Sequence, residues 1–300
     1  MFSKPYTDPD ISIPLNFNSN AYDPVIANEM EAVSCDHPYY PCDEGIFDYI
    51  PRHGKYQPFC TYNLTAASNK TAVILGNSFA YMQNKGILIA IKEAKTKFKK
   101  VYFLIAFGCN PMTGAFDAAI APQCRTADEL HSEFLNLLKP DIIIFSALLS
   151  HIKELQTKAP SPDEIVKNSI YPQLQNLLRY ANYTKKFIII EPHPALTEGG
   201  KYKTPLSISE ALIAGKDLSQ YKKLIESYEN GDNNAWKWIQ PVINECKNCK
   251  VVTTKDIFCD KNECDFIDRK TMLGLYCDEG HISPRTSLRL VPKIKYAIDH

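Results

Sequence analysis

From about residue 70 onward, short runs rich in Val, Ile and Phe recur at residues 72–75, 101–107, 141–146, 187–190 and 251–253. The runs do not alternate apolar with polar residues, which suits strands buried on both faces of a parallel sheet. Helical spacing fills the gaps. Residues 85–99 carry Ile87, Ile91 and Ala94 on one face, and residues 126–139 carry Leu130, Phe134, Leu137 and Leu138. Further helices are expected over 162–183, 217–229 and 233–245. Strands alternating with helices mean βαβ units with right-handed crossovers, so the expected class is α/β with a parallel sheet of five strands. Residues 1–60 are rich in Pro, Asp, Tyr and Asn and lack periodicity. They are read as an irregular arm pinned by Cys35, Cys42 and Cys60, followed by one domain over 61–300.

Sites in open parallel sheets form beyond the carboxyl ends of the strands. The first run ends in Gly76-Asn77-Ser78. One reading is an ordinary strand-to-helix turn, in which Gly76 relaxes the backbone and Asn77 or Ser78 caps the next helix. The other is a nucleophile turn whose helix-start amide donates to an oxyanion. Some two hundred residues later stands Asp278-Glu279-Gly280-His281, with Ser283 and Pro284 placed to cap and open a last helix that Pro292 divides. A serine hydroxyl needs a base to take its proton, and the base needs an orienting carboxylate. Ser78, His281 and Asp278 are the residue types for those roles, at the two ends of one βαβ array. His193, in Glu191-Pro192-His193-Pro194, follows the fourth run and is a weaker candidate for substrate contact; His151 is read as a rim residue.

These residues resemble the SGNH hydrolases, the GDSL-type esterase superfamily, over about residues 60–300. Within it they resemble the domains fused behind acyltransferase family 3 membrane domains. Residues 74–78, Ile-Leu-Gly-Asn-Ser, are similar to the family's Gly-Asp-Ser block, with Asn77 where Asp is common. Residues 278–283, Asp-Glu-Gly-His-Ile-Ser, are similar to its Asp-x-x-His-Leu-Ser block, and the Cys259/Cys264 pair ahead of them is also similar to the membrane-fused branch. The resemblance implies a three-layer flavodoxin-like SGNH-hydrolase fold with five parallel strands in order 2-1-3-4-5. It implies Ser78 as nucleophile, His281 as general base and then acid, and Asp278 as orienter. Gly108 would add a second oxyanion amide to that of Ser78, and Asn77, His193 and Ser146 are weaker substrate-contact candidates. The family's third oxyanion donor is an asparagine after the third strand; this chain has Ser146-Ala147-Leu148-Leu149-Ser150 there. The implied activity is that of a serine O-acyl esterase or O-acyltransferase acting on ester-linked groups, O-acetyl groups on carbohydrates foremost. The implied partners are an acyl donor, a carbohydrate-like acceptor and an acyltransferase membrane domain. No metal or organic cofactor is expected. The alternative is a catalytically weak or inactive SGNH-fold glycan-binding module.

Net charge is zero and pI near 7, which speaks against a nucleic-acid partner. No stretch approaches eighteen uninterrupted apolar residues, and Met1–Pro5 lacks a signal's apolar region. Ten cysteines and three Asn-x-Thr acceptors, at Asn63, Asn69 and Asn182, nevertheless suit an oxidised glycoprotein on the extracellular or lumenal side of a membrane. Either a piece of a longer polypeptide or a gene model that starts late would reconcile the two. Cys259 is expected to bond Cys264, and Cys109 to bond Cys124. Cys246 and Cys249 with Cys259 and Cys264 could instead hold zinc, and Cys277 is either a half-cystine or a bystander.

Overall fold

The computed structural model describes residues 22–36, 44–45, 59–109, 122–149, 153–195, 204–219, 221–231 and 233–300. The chain opens with α1 (Pro24–Asp36), β1 (Glu44–Gly45) and β2 (Phe59–Asn63). The main βα alternation follows as β3 (Thr71–Gly76), α2 (Ser78–Glu93), β4 (Lys100–Ile105), α3 (Pro122–Leu138) and β5 (Ile142–Ser146). Next come α4 (Pro162–Val166), α5 (Tyr171–Leu177), β6 (Lys186–Ile190), α6 (Pro205–Ile213), β7 (Lys222–Leu224) and α7 (Ile225–Asn230). After α8 (Asn234–Glu245), β8 (Cys249–Val252) and α9 (Lys255–Phe258) come three short strands, β9 (Glu263–Asp265), β10 (Ile267–Asp268) and β11 (Leu273–Gly274). The chain ends with α10 (Pro284–Ser287) and α11 (Val291–Asp299).

The main sheet has seven strands in order β1-β2-β4-β3-β5-β6-β8. Its five parallel members, numbered among themselves, run 2-1-3-4-5. The five expected parallel strands are present, and two further strands extend the sheet at one edge. There β2 pairs antiparallel with β4, and β1 with β2. Successive side chains along a strand point to opposite faces, and the core divides accordingly. Ala72, Ile74, Ile142, Ile144 and Ile188 face a cluster with Ile87 and Ile91 of α2 and Ile294 of α11. Val73, Leu75, Ile143, Phe145 and Phe187 face one with Phe134 of α3, Leu174 of α5 and Trp236 of α8. The result is three layers, helices on both sides of the sheet.

Several expected helices differ in the structure. The stretch 162–183 is broken: α4 ends at Val166, α5 restarts at Tyr171, and a 3-10 turn runs from Leu178 to Tyr183. Pro172 at the start of α5 lacks the N–H a continuous helix needs. Part of 217–229 forms β7, paired with β9. Residues 24–36, expected to be irregular, form α1, opened by Asp23, whose Oδ1 accepts from Val25 N–H, and by Pro24 at the first helical position. At the other end, Ser283 caps α10 by accepting from Thr286 N–H, and Pro292 opens α11. Among the described residues, no helix is long and apolar enough to cross a membrane.

Among the described residues, four disulfides join Cys35 to Cys277, Cys109 to Cys124, Cys246 to Cys249 and Cys259 to Cys264. The two expected pairs are both present, and the four sulfurs considered for zinc are bonded to one another. Cys42 lies outside the described residues.

Gly86 sits inside α2 against α10. A Cβ there would stand 2.1 Å from the Ser287 carbonyl oxygen. Alanine gains up to about 1 kcal/mol of helix propensity, but overpacking against rigid backbone costs about 1–3 kcal/mol or more. Gly86→Ala is therefore expected to destabilise the fold by about 2 kcal/mol, read as a lowered denaturation midpoint. An unchanged or raised midpoint would contradict this packing.

Candidate active site

Registers place Gly76 level with Ile105 on one side and Ser146 on the other. The carboxyl ends of β3, β4 and β5 thus lie side by side. Gly76 has no positive φ. A Cβ on it would meet the Ser146 carbonyl oxygen at 1.8 Å and Ala80 Cβ at 2.8 Å. The glycine serves close approach between β5 and α2 rather than relaxing the backbone, a correction to the expected reason. Asn77 is the cap of α2: its Oδ1 accepts from Phe79 N–H at 3.0 Å and from Leu148 N–H at 3.3 Å. One side chain therefore starts the helix and ties it to the loop after β5.

Ser78 is the first residue of α2. Its Oγ lies 2.8 Å from His281 Nε2, and His281 Nδ1 lies 2.7 Å from Asp278 Oδ2. A carboxylate facing Nδ1 keeps the ring proton there, which leaves Nε2 to accept from the serine hydroxyl. Asp278 Oδ1 also accepts from the backbone N–H of Gly280 and of His281, both at 2.8 Å. The turn is thus wound around the carboxylate. Burial pushes the Asp278 carboxyl up, but the hydrogen bonds from His281 and the Gly280 amide outweigh it and hold the group at about 2. Asp278 is an anion at any physiological pH.

The turn is held from below by residues that sequence reasoning did not assign this way. His193 Nε2–H donates to the Gly280 carbonyl at 2.8 Å, and its Nδ1 faces Gln83 Nε2 at 3.4 Å. The ring stacks on Phe79 at 4.9 Å, and Phe79 in turn lies 5.1 Å from the His281 ring. Burial lowers His193 to about 4, so the imidazole is neutral. Tyr276 donates to the Pro194 carbonyl at 2.7 Å, fastening the approach to the turn onto the segment carrying His193.

Helix α1 braces the same turn from the other side. Cys35 bonds Cys277, the neighbour of Asp278, and Cys277 N–H donates to the His281 carbonyl at 2.8 Å. Glu31, 1 % exposed, accepts from Arg285 N–H at 3.0 Å and pairs with its guanidinium. Asn28 accepts from Gly274 N–H and donates to the Met272 carbonyl. None of these residues belongs to a recognisable motif. Only the Asp23-Pro24 cap pair signals the helix that carries them.

The three weaker candidates for substrate contact are all buried. Asn77 is 6 %, His193 3 % and Ser146 2 % exposed. Asn77 caps α2, His193 bonds to the Gly280 carbonyl, and Ser146 pairs with Gly76 in the sheet. Gly108, two residues past the Ala106 whose N–H donates to the Gly76 carbonyl, has φ +67° with open space around it. It needs glycine for conformation, not for room. His151 and Ser150 lie outside the described residues.

Helices on both faces of a mostly parallel sheet, with a Gly-x-Ser turn ending its inner strand, make this an α/β domain of SGNH-hydrolase type. The sequence matches the family described as SGNH domain (fused to AT3 domains) over residues 42–295, and the chain belongs to that family. Among solved structures, the periplasmic domain of the lipopolysaccharide acetyltransferase of Salmonella ser. Paratyphi A is similar in fold. Its TM-score is 0.52 at 14 % identity, covering 77 % of this chain and 84 % of that one. A putative platelet activating factor protein from Streptococcus pneumonia aligns with TM-score 0.34 at 11 % identity, covering 91 % and 94 %. A search of curated protein sequences finds no match.

Proposed function

We propose that the domain is a serine-dependent O-acyl esterase or O-acyltransferase, working through an acyl-Ser78 intermediate. The observation that carries this reading is the 2.8 Å contact between Ser78 Oγ and His281 Nε2, with Asp278 at the other ring nitrogen. In the first half-reaction Ser78 Oγ attacks the ester carbonyl carbon as its proton passes to His281 Nε2, and Asp278 steadies the imidazolium. The carbonyl oxygen takes the negative charge and is met by the backbone N–H groups of Ser78 and Gly108. The carbon–oxygen bond to the leaving alcohol then breaks, and His281 returns the proton to that alcohol. In the second half a hydroxyl, from water or from a carbohydrate-like acceptor, repeats the steps on the acyl-serine.

A transferase role fits a family named for its fusion to AT3 domains, in which a membrane domain would bring the acyl group. It also fits the likeness in fold to the periplasmic domain of a lipopolysaccharide acetyltransferase. Four disulfides among the described residues fit an oxidising compartment on the extracellular or lumenal side. The deciding experiment is labelling of oxidised protein with a fluorophosphonate, followed by transfer of acetyl to a sugar compared with water. Absence of both labelling and turnover, with glycan binding retained, would leave a binding module. One observation favours that second reading: residues 146–149 supply no asparagine side chain as an oxyanion donor.

His193 serves this mechanism as a positioning residue, since its Nε2–H holds the Gly280 carbonyl of the turn that carries His281. His193→Phe removes the donor to Gly280 and is expected to slow Ser78 labelling on the order of tenfold or more. His193→Gln, which can still donate, is expected to recover most of the rate. Equal rates in both variants and the parent would remove His193 from the mechanism.

A further inference from the structure

The three Asn-x-Thr sequences, Asn63-Leu64-Thr65, Asn69-Lys70-Thr71 and Asn182-Tyr183-Thr184, are spread over more than a hundred residues of chain. The fold gathers them at one pole. Asn63 ends β2 opposite Lys100, the first residue of β4. Asn69 stands two residues before β3, beside the point where Lys99 N–H donates to the Lys70 carbonyl. Asn182 lies in the 3-10 turn that leads into β6. Registers set Thr71, Lys100 and Lys186 at the same end of the sheet, the amino end of every parallel strand. Ser78 and its partners stand at the opposite, carboxyl end. All three asparagines are exposed.

We propose that Asn63, Asn69 and Asn182 are N-glycosylated, and that their glycans cover the pole facing away from Ser78. Exposure alone says little, because most asparagines are exposed. The common location carries the inference: three independent acceptors fall on one pole and none on the other. The compartment agrees, since the described cysteines are joined in disulfides. In the modification, each asparagine Nδ2 forms a bond to the anomeric carbon of a lipid-diphosphate-linked oligosaccharide. The bond from that carbon to the phosphate oxygen breaks, the lipid diphosphate leaves, and the amide gives up one proton to the transferase. The acceptor chain is extended at that moment, so the place of Thr71 at the start of β3 is no obstacle.

Two distances give the consequence. The six residues of β3 span about 20 Å at about 3.3 Å each, which separates the glycan anchors from Ser78. From β2 to β6 there are four strand spacings, about 19 Å, so the anchors are spread across the width of the pole. Bulky solvated glycans there exclude protein partners from the amino end. Acyl donor, acceptor and any membrane domain then approach from the carboxyl end.

The test uses the whole chain secreted from a eukaryotic cell with a signal sequence supplied. Intact mass is measured before and after treatment with peptide N-glycosidase, which converts each formerly glycosylated asparagine to aspartate, and the converted positions are mapped by peptide analysis. The expected result is a mass loss on treatment and conversion at 63, 69 and 182, with one step lost in each Asn→Gln variant. Unconverted asparagine at these positions in secreted, disulfide-bonded parent overturns the proposal, whether or not Ser78 reacts. Where the parent labels with fluorophosphonate, the rate is expected to be the same before and after glycan removal. A several-fold rise on removal would mean that the glycans reach the site, against the segregation argued here.

Discussion

Ser78→Ala is expected to abolish both fluorophosphonate labelling and turnover of acyl esters while the protein stays folded. Removal of a nucleophile that works as a unit with its base costs on the order of 10⁴-fold or more. The change costs little stability, about 1 kcal/mol at most. Ser78 is only partly buried, and the helix it starts is capped by the Asn77 side chain, which remains. His281→Ala should lose nearly as much activity, because Ser78 Oγ then has no acceptor for its proton. Asp278→Asn should lose less, since nucleophile and base both remain; what is lost is the anion that fixes the proton on Nδ1. Its carboxylate also accepts two backbone N–H groups, and an asparagine oxygen can keep those bonds. The order Ser78→Ala ≈ His281→Ala > Asp278→Asn, at equal thermal midpoints, is the pattern of the proposed chemistry. Residual turnover in Ser78→Ala equal to that of the parent would end it.

The parallel strands and the Ser78–His281–Asp278 geometry are legible in the sequence because their signals are local. An unalternating run of Val and Ile marks a two-sided strand, and Gly-x-Ser at its end marks the turn. Helix α1 is not legible, for a specific reason. Its apolar residues Ile26, Met30 and Val33 point outward, 54 %, 45 % and 52 % exposed, while Asn28 and Glu31 are buried. A reading that assigns the apolar stripe to the core looks at the wrong face of such a helix. Its inward polar groups have meaning only once Gly274 and Arg285 are beside them, some 250 residues away. His193 stands out in the sequence, but its neighbours do not. From sequence it follows a strand, as a cleft residue would; only the fold shows Gly280 above its Nε2 and Gln83 against its Nδ1. The edge strands β1 and β2 are hidden in a segment without alternation, and their pairing depends on β4, about forty residues later.

Stability is expected to fall steeply as pH drops below about 6.5, well before the carboxylates titrate. Two buried histidines set this window. Burial, aided by the nearby Arg179 guanidinium, lowers His131 to about 3. Burial lowers His193 to about 4, with the Gly280 carbonyl and the Asp278 carboxylate opposing it and the His281 ring reinforcing it. Both values lie below the unfolded value of about 6.5, so between the two limits the unfolded chain binds more protons than the native one. Stability therefore rises with pH through this range, and the contribution is fully present only above about 6.5. At about 1.4 kcal/mol per unit for each group, the two together remove about 4 kcal/mol by pH 5. That is a large share of a typical total of about 5–15 kcal/mol. The raised carboxyl of Glu191, held up by burial, acts in the opposite direction and trims the loss. Asp278, depressed to about 2, keeps its contribution until pH falls below about 4, so it belongs to a separate, more acidic step. Denaturant unfolding at about pH 7.5 and about pH 5 measures the effect directly. The parent's midpoint should drop strongly between the two, and His193→Gln, which carries no titrating ring, should show roughly half the drop. A parent with the same midpoint at both pH values would mean that these histidines are not held neutral in the folded chain.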